Sequence, residues 1–188
     1  MNQQIYRGVS PFVAVIFCLL AAGCDRQASQ GKAAPSTTEN QATAVLQAKG
    51  DSGLSGTARF EPTGTEITFH ILVENVSPGS HAIHIHEIGD CSSADGKSAG
   101  GHWNPTEEAH GKWGTPPHHL GDIGNLEVDS EGNGEMTLRT GRWSIGGPSG
   151  TNVVGRAIIV HAGADDLATQ PTGNAGGRIG CGVVNSGS

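Results

Sequence analysis

The sequence predicts an all-β fold, an eight-stranded antiparallel barrel or sandwich with two long loops. Three observations lead to this prediction. Glycine accounts for 30 of the 188 residues, and glycine is costly in helix interiors. Short apolar and β-branched segments recur between clusters of turn residues, and no segment has a convincing helical period. Many short strands joined by turns favour a sandwich or a barrel.

The predicted strands follow one another along the chain, and turn residues bound each of them. The third is the clearest, because residues 66–74 alternate and are rich in β-branched side chains. The turn Glu61-Pro62-Thr63-Gly64 separates it from the second strand. The eight predicted strands cover residues 43–48, 55–60, 66–74, 81–87, 125–128, 134–139, 153–161 and 182–184.

Two stretches, residues 88–122 and 162–180, interrupt this succession of strands. Loops of that length inside a domain are usually functional or disordered. The first stretch contains four histidines, which favours function.

Composition and charge exclude several classes of protein. The net charge of −7 argues against a nucleic-acid partner, because such proteins present basic surfaces. No Gly-X-Y period is present, so the chain is not collagen-like. No apolar stretch reaches the roughly 18–20 residues that a membrane span needs.

The N-terminus has the features of a targeting segment. Arg7 precedes an apolar run over residues 11–22, and the run ends at Gly23 and Cys24. The sequence Leu-Leu-Ala-Ala-Gly-Cys at 19–24 resembles the lipobox of bacterial lipoproteins, which implies cleavage before Cys24 and acylation of that residue. The alternatives are an ordinary signal peptide cut nearby and an uncleaved anchor.

This interpretation divides the chain into three parts. Residues 1–24 form a removable signal, residues 25–42 a flexible tether and residues 43–188 one folded domain. The tether is rich in Gln, Ser, Thr and Ala, and its eighteen residues would span roughly 25 Å as a flexible chain. The expected location is the cell envelope, with the lipid in a bacterial membrane and the domain on its periplasmic or extracellular side.

The cysteines support an exported protein. Cys18 leaves with the signal and Cys24 carries lipid, so Cys91 and Cys181 remain. In an oxidising compartment this pair is predicted to form a disulfide, the alternative being two free buried thiols. The bond would close a long loop and stabilise the fold by about 4–5 kcal/mol on the chain-entropy model.

The nine histidines are numerous and clustered. His84 and His86 are two residues apart in a predicted strand, so both point to one face while Ile83 and Ile85 point to the other. The isoleucine face suits a core, and the histidine face suits a metal. This pair alone is a weak indication, because an exposed strand face can carry two histidines without a function.

Further candidate ligands follow along the chain. His102, His110, His119 and Asp122 offer nitrogen and oxygen atoms in the combination that tetrahedral zinc accepts. His161 ends an apolar strand and could alone be a satisfied core histidine, but beside six other candidates we interpret it as a ligand. Seven such ligands exceed the needs of one zinc and indicate two sites that share a residue. A nitrogen-rich site suits Cu(II).

Five segments together resemble the copper/zinc superoxide dismutases. The match runs from about residue 43 to the end, and the order and approximate spacing of all seven ligands fit. The resemblance implies an eight-stranded Greek-key β-barrel. The segments are AIHIHEIGD at 82–90, GHWNP at 101–105, HLGDIGN at 119–125, HAGADDL at 161–167 and GNAGGRIGCGVV at 173–184.

The resemblance implies one copper and one zinc per chain and a role for each matching residue. Copper is held by His84, His86, His102 and His161, and zinc by His102, His110, His119 and Asp122. His102 bridges the metals as an imidazolate, and Asp165 links His84 with His110. Arg178 attracts the superoxide anion, and Cys91 and Cys181 match the disulfide of the family.

The implied activity is conversion of superoxide to O₂ and H₂O₂ by alternating reduction and oxidation of Cu(II) and Cu(I). In this scheme His102 carries a proton to the departing peroxide. The implied purpose is protection of the cell envelope from external superoxide. The resemblance allows a monomer or a homodimer.

The source of positive charge that would steer superoxide to the site is unusual. Residues 167–172 carry no charge, whereas animal members of the family have a charged loop there. We hypothesise that Lys97 substitutes, with Lys112 as a second candidate, because a local positive field raises association rates. The alternative is that both are only solvated loop lysines.

Three other functions fit the candidate residues less well than superoxide dismutation does. A metal carrier needs no anion guide such as Arg178. A hydrolytic zinc enzyme needs an open zinc position and a general base. Glu87 is the glutamate closest to a candidate ligand, but the sequence has no H-E-x-x-H helix. A lipoprotein that uses metal only to fold predicts no turnover.

The remaining histidines and the tryptophans receive structural interpretations. We expect His81 to be a hydrogen-bonded structural residue and His118 to be exposed, and His70 fits either surface or core. Trp103 and Trp143 are expected to pack rather than to take part in redox chemistry.

Overall fold

A computed structural model describes residues 40–187, and within them the chain forms a closed antiparallel β-barrel with two long loops. The predicted fold class is confirmed. Eight strands make the barrel wall, and a two-residue ninth strand lies beside the first. They are β1 (Ala42–Ala48), β2 (Ser55–Thr63), β3 (Glu66–Glu74), β4 (Gly79–His86), β5 (Asp122–Val128), β6 (Gly134–Thr140), β7 (Ala157–His161), β8 (Arg178–Val183) and β9 (Asn185–Ser186).

The wall follows the order β2-β3-β6-β5-β4-β7-β8-β1, and β1 pairs with β2 to close it. The neighbours β3–β6 and β4–β7 are not consecutive in sequence, which is the crossover pattern of a Greek key. The seam between β5 and β6 is the thinnest part, since it has the single pairing Val128↔Gly134.

Inward-pointing side chains fill the barrel. Along β3, Phe69, Ile71 and Val73 are buried while the residues between them are less so, because side chains on a strand alternate between faces. Phe60, Phe69 and Trp143 contact one another with ring centroids 5.0, 5.8 and 5.9 Å apart. The predicted packing role of Trp143 is therefore confirmed.

Strand β4 is the element that joins the core to the histidine cluster. Ile83 and Ile85 belong to the core, and His84 and His86 belong to the cluster on the other face, as their spacing predicts. The first loop (residues 87–121) covers the histidine face, where it forms a bridge between His86 and His102. Both faces of β4 are consequently buried.

The strand bounds differ from the sequence prediction in two informative places. The strand predicted at 153–161 begins only at Ala157, because a turn closed by the bond from Arg156 N to Val153 O precedes it. The last barrel strand begins at Arg178 rather than at Gly182, because residues 178–183 pair with β7. Arg178 therefore stands at the end of the second loop (residues 162–177), on a strand.

The predicted disulfide is present between Cys91 and Cys181, with Cα atoms 5.8 Å apart. It fastens the first loop to β8. Within the described range no helix has the length and apolar character to cross a membrane. The predicted signal segment and Cys24, and the tether up to residue 39, lie outside the described residues.

Candidate metal centre

Four buried histidines converge between two strands and the first loop. His84 and His86 come from β4, His161 ends β7, and His102 comes from the first loop. Each ring contributes one nitrogen to a cluster in which the four nitrogens all lie within 4.8 Å of one another. We call these residues the four-histidine group.

In this group the outward nitrogens are hydrogen-bonded and the inward nitrogens are not. The outward bonds join His84 Nε2 to Asp165 Oδ2 (2.8 Å), His86 Nδ1 to Gly100 O (3.0 Å) and His161 Nδ1 to Gly176 O (3.3 Å). The unpartnered buried atoms are His84 Nδ1 and the Nε2 atoms of His86, His102 and His161. Unpartnered buried polar atoms are rare, and outward bonds that orient a ring are typical of metal-binding histidines.

A second group lies next to the first and shares His102. It consists of His102, His110, His119 and Asp122, all buried. Asp122 Oδ1 lies 2.8 Å from Nδ1 of His102 and 3.1 Å from Nδ1 of both His110 and His119. The His110 contact has no hydrogen-bond geometry, so that Nδ1 is also unpartnered. We call this set the three-histidine–aspartate group.

The two groups meet in the ring of His102. Its Nδ1 faces Asp122, and its Nε2 belongs to the unpartnered atoms of the four-histidine group. The Oδ2 atom of Asp122 accepts bonds from the main-chain N–H of Gly111 (3.1 Å) and His119 (2.8 Å), which fixes the carboxylate. The donor sets fit two neighbouring metal ions, an all-nitrogen site that suits copper and a site with one carboxylate that suits zinc.

Asp165 supports both groups from outside. Its Oδ2 accepts a bond from His84 Nε2 (2.8 Å), and its Oδ1 accepts one from His110 Nε2 (2.9 Å). Burial acts to raise the pKa of this carboxyl, but the bonds from His84, from the main chain of Leu167 and from His110 outweigh burial and lower the pKa to about 2. Asp165 is therefore ionised at neutral pH and orients both rings.

Burial also favours the neutral form of three rings in the four-histidine group. It lowers the pKa of His84 to about 4, that of His161 to about 3 and that of His86 to about 2, with repulsion from neighbouring rings adding to the effect. Burial lowers the pKa of the less buried His119 as well. A neutral imidazole keeps the lone pair that a metal ion requires.

Arg178 brings a positive charge to the side of the four-histidine group. It donates from Nη1 to Gly96 O and from Nη2 to Gly100 O, each at 2.7 Å. Its charge contributes to the lowered pKa values of His86 and His161. Partial burial lowers the pKa of Arg178 itself, but a guanidinium remains charged at neutral pH.

Comparison with known proteins decides the family. The family model described as copper/zinc superoxide dismutase (SODC) matches residues 54–184. The chain belongs to the copper/zinc superoxide dismutase family. It is accordingly an oxidoreductase that acts on superoxide, and copper and zinc are the metals that its two residue groups fit.

Several individual proteins are similar to this superoxide dismutase. The copper/zinc superoxide dismutases of Saccharomyces cerevisiae and Schizosaccharomyces pombe are both 38% identical to it, over 154 and 153 residues, which cover 77% of this chain and 96% of each relative. An extracellular copper/zinc superoxide dismutase of Brugia pahangi is 32% identical over 158 residues, covering 79% of this chain and 78% of that protein. The crystal structure of the clock protein EA4 aligns with a TM-score of 0.69 at 33% identity, over 80% of this chain and 96% of that one.

The two lysines considered for steering occupy different surroundings in this superoxide dismutase. Lys97 and Arg178 line the same surface hollow. Lys97 Nζ lies 3.0 Å from Asp95 Oδ2 in an exposed ion pair, so the positive charge of Lys97 has a negative neighbour. Lys112 lines another hollow, beside Trp113.

The structure corrects one expectation about the remaining histidines. His118 is not exposed but 2% accessible, because its ring packs against Trp113 and is hydrogen-bonded at both nitrogens. Nδ1 donates to His119 O (2.8 Å), and Nε2 accepts from Arg142 Nη1 (2.7 Å). The side chain thus supports the main chain of a residue in the three-histidine–aspartate group.

The other two histidines behave as structural residues. His81 is buried, and its Nδ1 lies 2.8 Å from His161 O, which confirms the hydrogen-bonded role expected for it. His70 stands on the outer face of the barrel, with Nε2 2.8 Å from Glu135 Oε1. The packing role expected for Trp103 is confirmed too, since it is buried and Arg156 stacks on its ring at 4.4 Å.

Two supporting residues could not be found from the sequence. Lys49, directly after β1, donates from Nζ to the main-chain oxygens of Cys91 and Ser93, the latter at 3.1 Å. Glu87 accepts the main-chain N–H of Gly101 beside His102, at 3.1 Å. A lone lysine or glutamate carries no pattern that predicts such a contact with a distant main chain.

Proposed function

We propose that the two residue groups hold one copper and one zinc per chain and share His102 as the bridge. The unpartnered inward nitrogens carry this proposal, because a buried polar atom without a partner is costly unless a ligand satisfies it. In this assignment copper is held by His84, His86, His102 and His161, and zinc by His102, His110, His119 and Asp122.

The protein's own part in the reaction centres on His102. Bound copper supplies the one-electron redox chemistry, alternating between Cu(II) and Cu(I), whereas zinc has none. Nε2 of His102 can take up a proton in one half of the cycle and release it to the departing peroxide in the other. Each cycle consumes two superoxide anions and two protons and yields one O₂ and one H₂O₂, so the second proton comes from solvent.

Arg178 is proposed to attract and hold the superoxide anion. Its two bonds to main-chain oxygens of the first loop fix the guanidinium. The side chain is only half-buried, so an anion can still reach it. Arg178 Nη2 and His86 Nδ1 both bond to Gly100 O, so Arg178 lies beside a proposed copper ligand. A fixed positive charge at that place raises the local concentration of an anionic substrate.

We further propose that the enzyme is anchored by lipid on Cys24 and protects the cell envelope from external superoxide. In this proposal residues 1–24 are removed and the residues from 25 up to the start of β1 act as the tether. The sequence placed Ala42 in the tether, but Ala42 is the first residue of β1, so the enzymatic domain begins there. The disulfide supports an oxidising compartment. The extracellular location named for the Brugia pahangi relative points the same way.

The metal assignment is tested by removing one ligand from each group. His86→Ala should lose copper and keep zinc, and His119→Ala should lose zinc and keep copper. Metal content measured by mass spectrometry, with copper followed by electron paramagnetic resonance, distinguishes the two variants. Loss of zinc from His86→Ala with copper retained would overturn the assignment.

The proposed location is tested separately with Cys24→Ala in a bacterial host. The wild-type protein should fractionate with membranes, carry a lipid on Cys24 and lack residues 1–24, whereas the variant should carry no lipid and keep residues 1–24. Wild-type protein that fractionates with the soluble pool without lipid would contradict the anchor but not the activity.

A further inference from the structure

Gln170 in the second loop pairs with the main chain of His110 through both ends of its side-chain amide. Nε2 of Gln170 donates to His110 O at 2.8 Å, and Oε1 accepts from His110 N at 2.9 Å. The residues are 60 positions apart in the sequence. The amide supplies the two bonds that a neighbouring strand would supply in a hydrogen-bonded pair.

His110 depends on this pairing because it lies in the first loop, outside any strand. Its ring is held by the bond from Nε2 to Asp165 Oδ1 (2.9 Å), and Asp165 belongs to the second loop as well. The second loop therefore holds His110 twice, at the ring through Asp165 and at the main chain through Gln170. These contacts fix both the direction and the position of the unpartnered Nδ1.

The segment that carries Gln170 is ordered mainly by bonds that do not involve its amide, although Gln170 Nε2 also donates to Ala168 O at 3.1 Å. Gly173 N donates to Thr169 O (2.7 Å), and Asp166 N donates to Gly173 O (2.9 Å). The Asp166 carboxylate accepts the main-chain N–H of Thr169 at 2.7 Å. The amide is thus presented to His110 by a preformed turn, which lowers the entropy that the two bonds cost.

We propose that Gln170 is a positioning residue for the zinc site, which clamps the main chain of His110 and thereby slows the loss of zinc. This rests on the proposed role of His110 as a zinc ligand. His110 is the only proposed metal ligand that the Gln170 amide contacts, so removal of this amide should change zinc retention while the four-histidine group keeps its ligands. Partners that orient a metal ligand typically change metal affinity by about 10–100-fold.

The test compares zinc release from the full-length protein and three variants. Gln170→Ala removes both bonds to His110, together with the bond to Ala168 O within the second loop. Gln170→Glu keeps an acceptor for His110 N but removes the donor to His110 O. The matched control is Thr172→Ala, in the same loop, because the Thr172 side chain takes no part in the pairing with His110. The rate of zinc transfer to a colorimetric chelator should rise by about tenfold in Gln170→Ala and by at least about threefold in Gln170→Glu. Thr172→Ala should match the wild type.

Amide hydrogen exchange gives a second readout that does not depend on activity. In zinc-loaded Gln170→Ala the amide of His110 should lose protection, because its acceptor is gone. The amide of Gly173, bonded to Thr169 O, should keep its protection. A general loosening of the loop would expose both amides, and that result would contradict a specific clamp.

The remaining outcomes are also decisive. Release from Gln170→Ala that is less than about threefold faster than from the wild type, or an equal acceleration in Thr172→Ala, overturns the proposal. If Gln170→Ala fails to fold, the zinc release rate of Gln170→Glu decides alone, by the same threefold threshold. A wild-type protein that binds no zinc would overturn the zinc assignment together with the clamp, whereas retained zinc with unchanged release overturns the clamp alone.

Discussion

Asp165 and His110 are joined by a buried hydrogen bond of 2.9 Å, from Nε2 of the imidazole to Oδ1 of the carboxylate. The other oxygen of Asp165 holds His84 at 2.8 Å, so one side chain orients one ring in each residue group. The main chain of Asp165 is itself paired with both ends of the Asn125 amide, at 2.7 and 2.9 Å. Asn125 of β5 thus fixes the main chain of a second-loop residue whose carboxylate contacts both residue groups.

Replacing Asp165 by Asn should weaken zinc binding by about 10–100-fold. The new amide can accept a bond from only one of the two imidazole N–H groups, and its own NH₂ faces the other. Chelator competition measures the zinc affinity, with Glu131→Gln on an exposed turn as the control. Unchanged zinc affinity in Asp165→Asn would show that the carboxylate does not orient His110.

Gly173→Ala should displace the Asp165 carboxylate without replacing any polar side chain. Gly173 has φ +66°, and an added Cβ would collide with Asp165 Oδ1 and approach His110 Nε2 to 2.7 Å. We expect a loss of stability of about 1–3 kcal/mol from the strained backbone, together with weaker zinc binding. Gly150→Ala is the control, since nothing lies within 4 Å of a Cβ added there. Equal free energies of unfolding for Gly173→Ala and Gly150→Ala, measured by denaturation, would contradict this account.

Removal of the disulfide by Cys91→Ser with Cys181→Ser should lower the free energy of unfolding by about 2–5 kcal/mol. It should also lower kcat/KM, because Gly96 and Gly100, which hold Arg178, lie in the loop that the disulfide fastens. Urea denaturation of the metal-free protein checks the first effect, and superoxide decay checks the second. Identical unfolding midpoints with and without the disulfide would refute the predicted stabilisation.

The pair of Lys97 and Asp95 gives two opposite predictions for steering. Lys97→Ala should lower kcat/KM, and Asp95→Asn should raise it, each by about twofold to threefold at low salt. Both differences should fade as ionic strength rises, because the two side chains are exposed and salt screens them. If Lys97→Ala leaves kcat/KM and its salt dependence unchanged, Lys97 is only a solvated loop lysine.

Local patterns were enough to predict the barrel strands and the face of β4 that carries histidines. The strand at Glu66–Glu74 matches its prediction residue for residue, because its alternation depends on one buried face alone. The start of β8 at Arg178 could not be predicted, because it is set by pairing with β7. The segment is rich in glycine and shows no alternation of apolar and polar residues that would reveal a strand.

Contacts between distant loops were beyond the reach of sequence patterns. The burial of His118 depends on Trp113 and on Arg142, which lies 24 residues away. The clamp between Gln170 and His110 spans the two long loops. Each is fixed by tertiary packing, which a single residue type does not encode.

The most direct measurement is the decay of superoxide by pulse radiolysis, with metal content determined on the same sample. Wild-type protein loaded with copper and zinc is compared with Arg178→Ala and with Arg178→Lys, which keeps the charge. We predict one copper and one zinc per chain, decay at about 10⁸–10⁹ M⁻¹s⁻¹ and a loss of about tenfold or more in Arg178→Ala with its metals retained. Stoichiometric metal with no acceleration of superoxide decay would contradict the account.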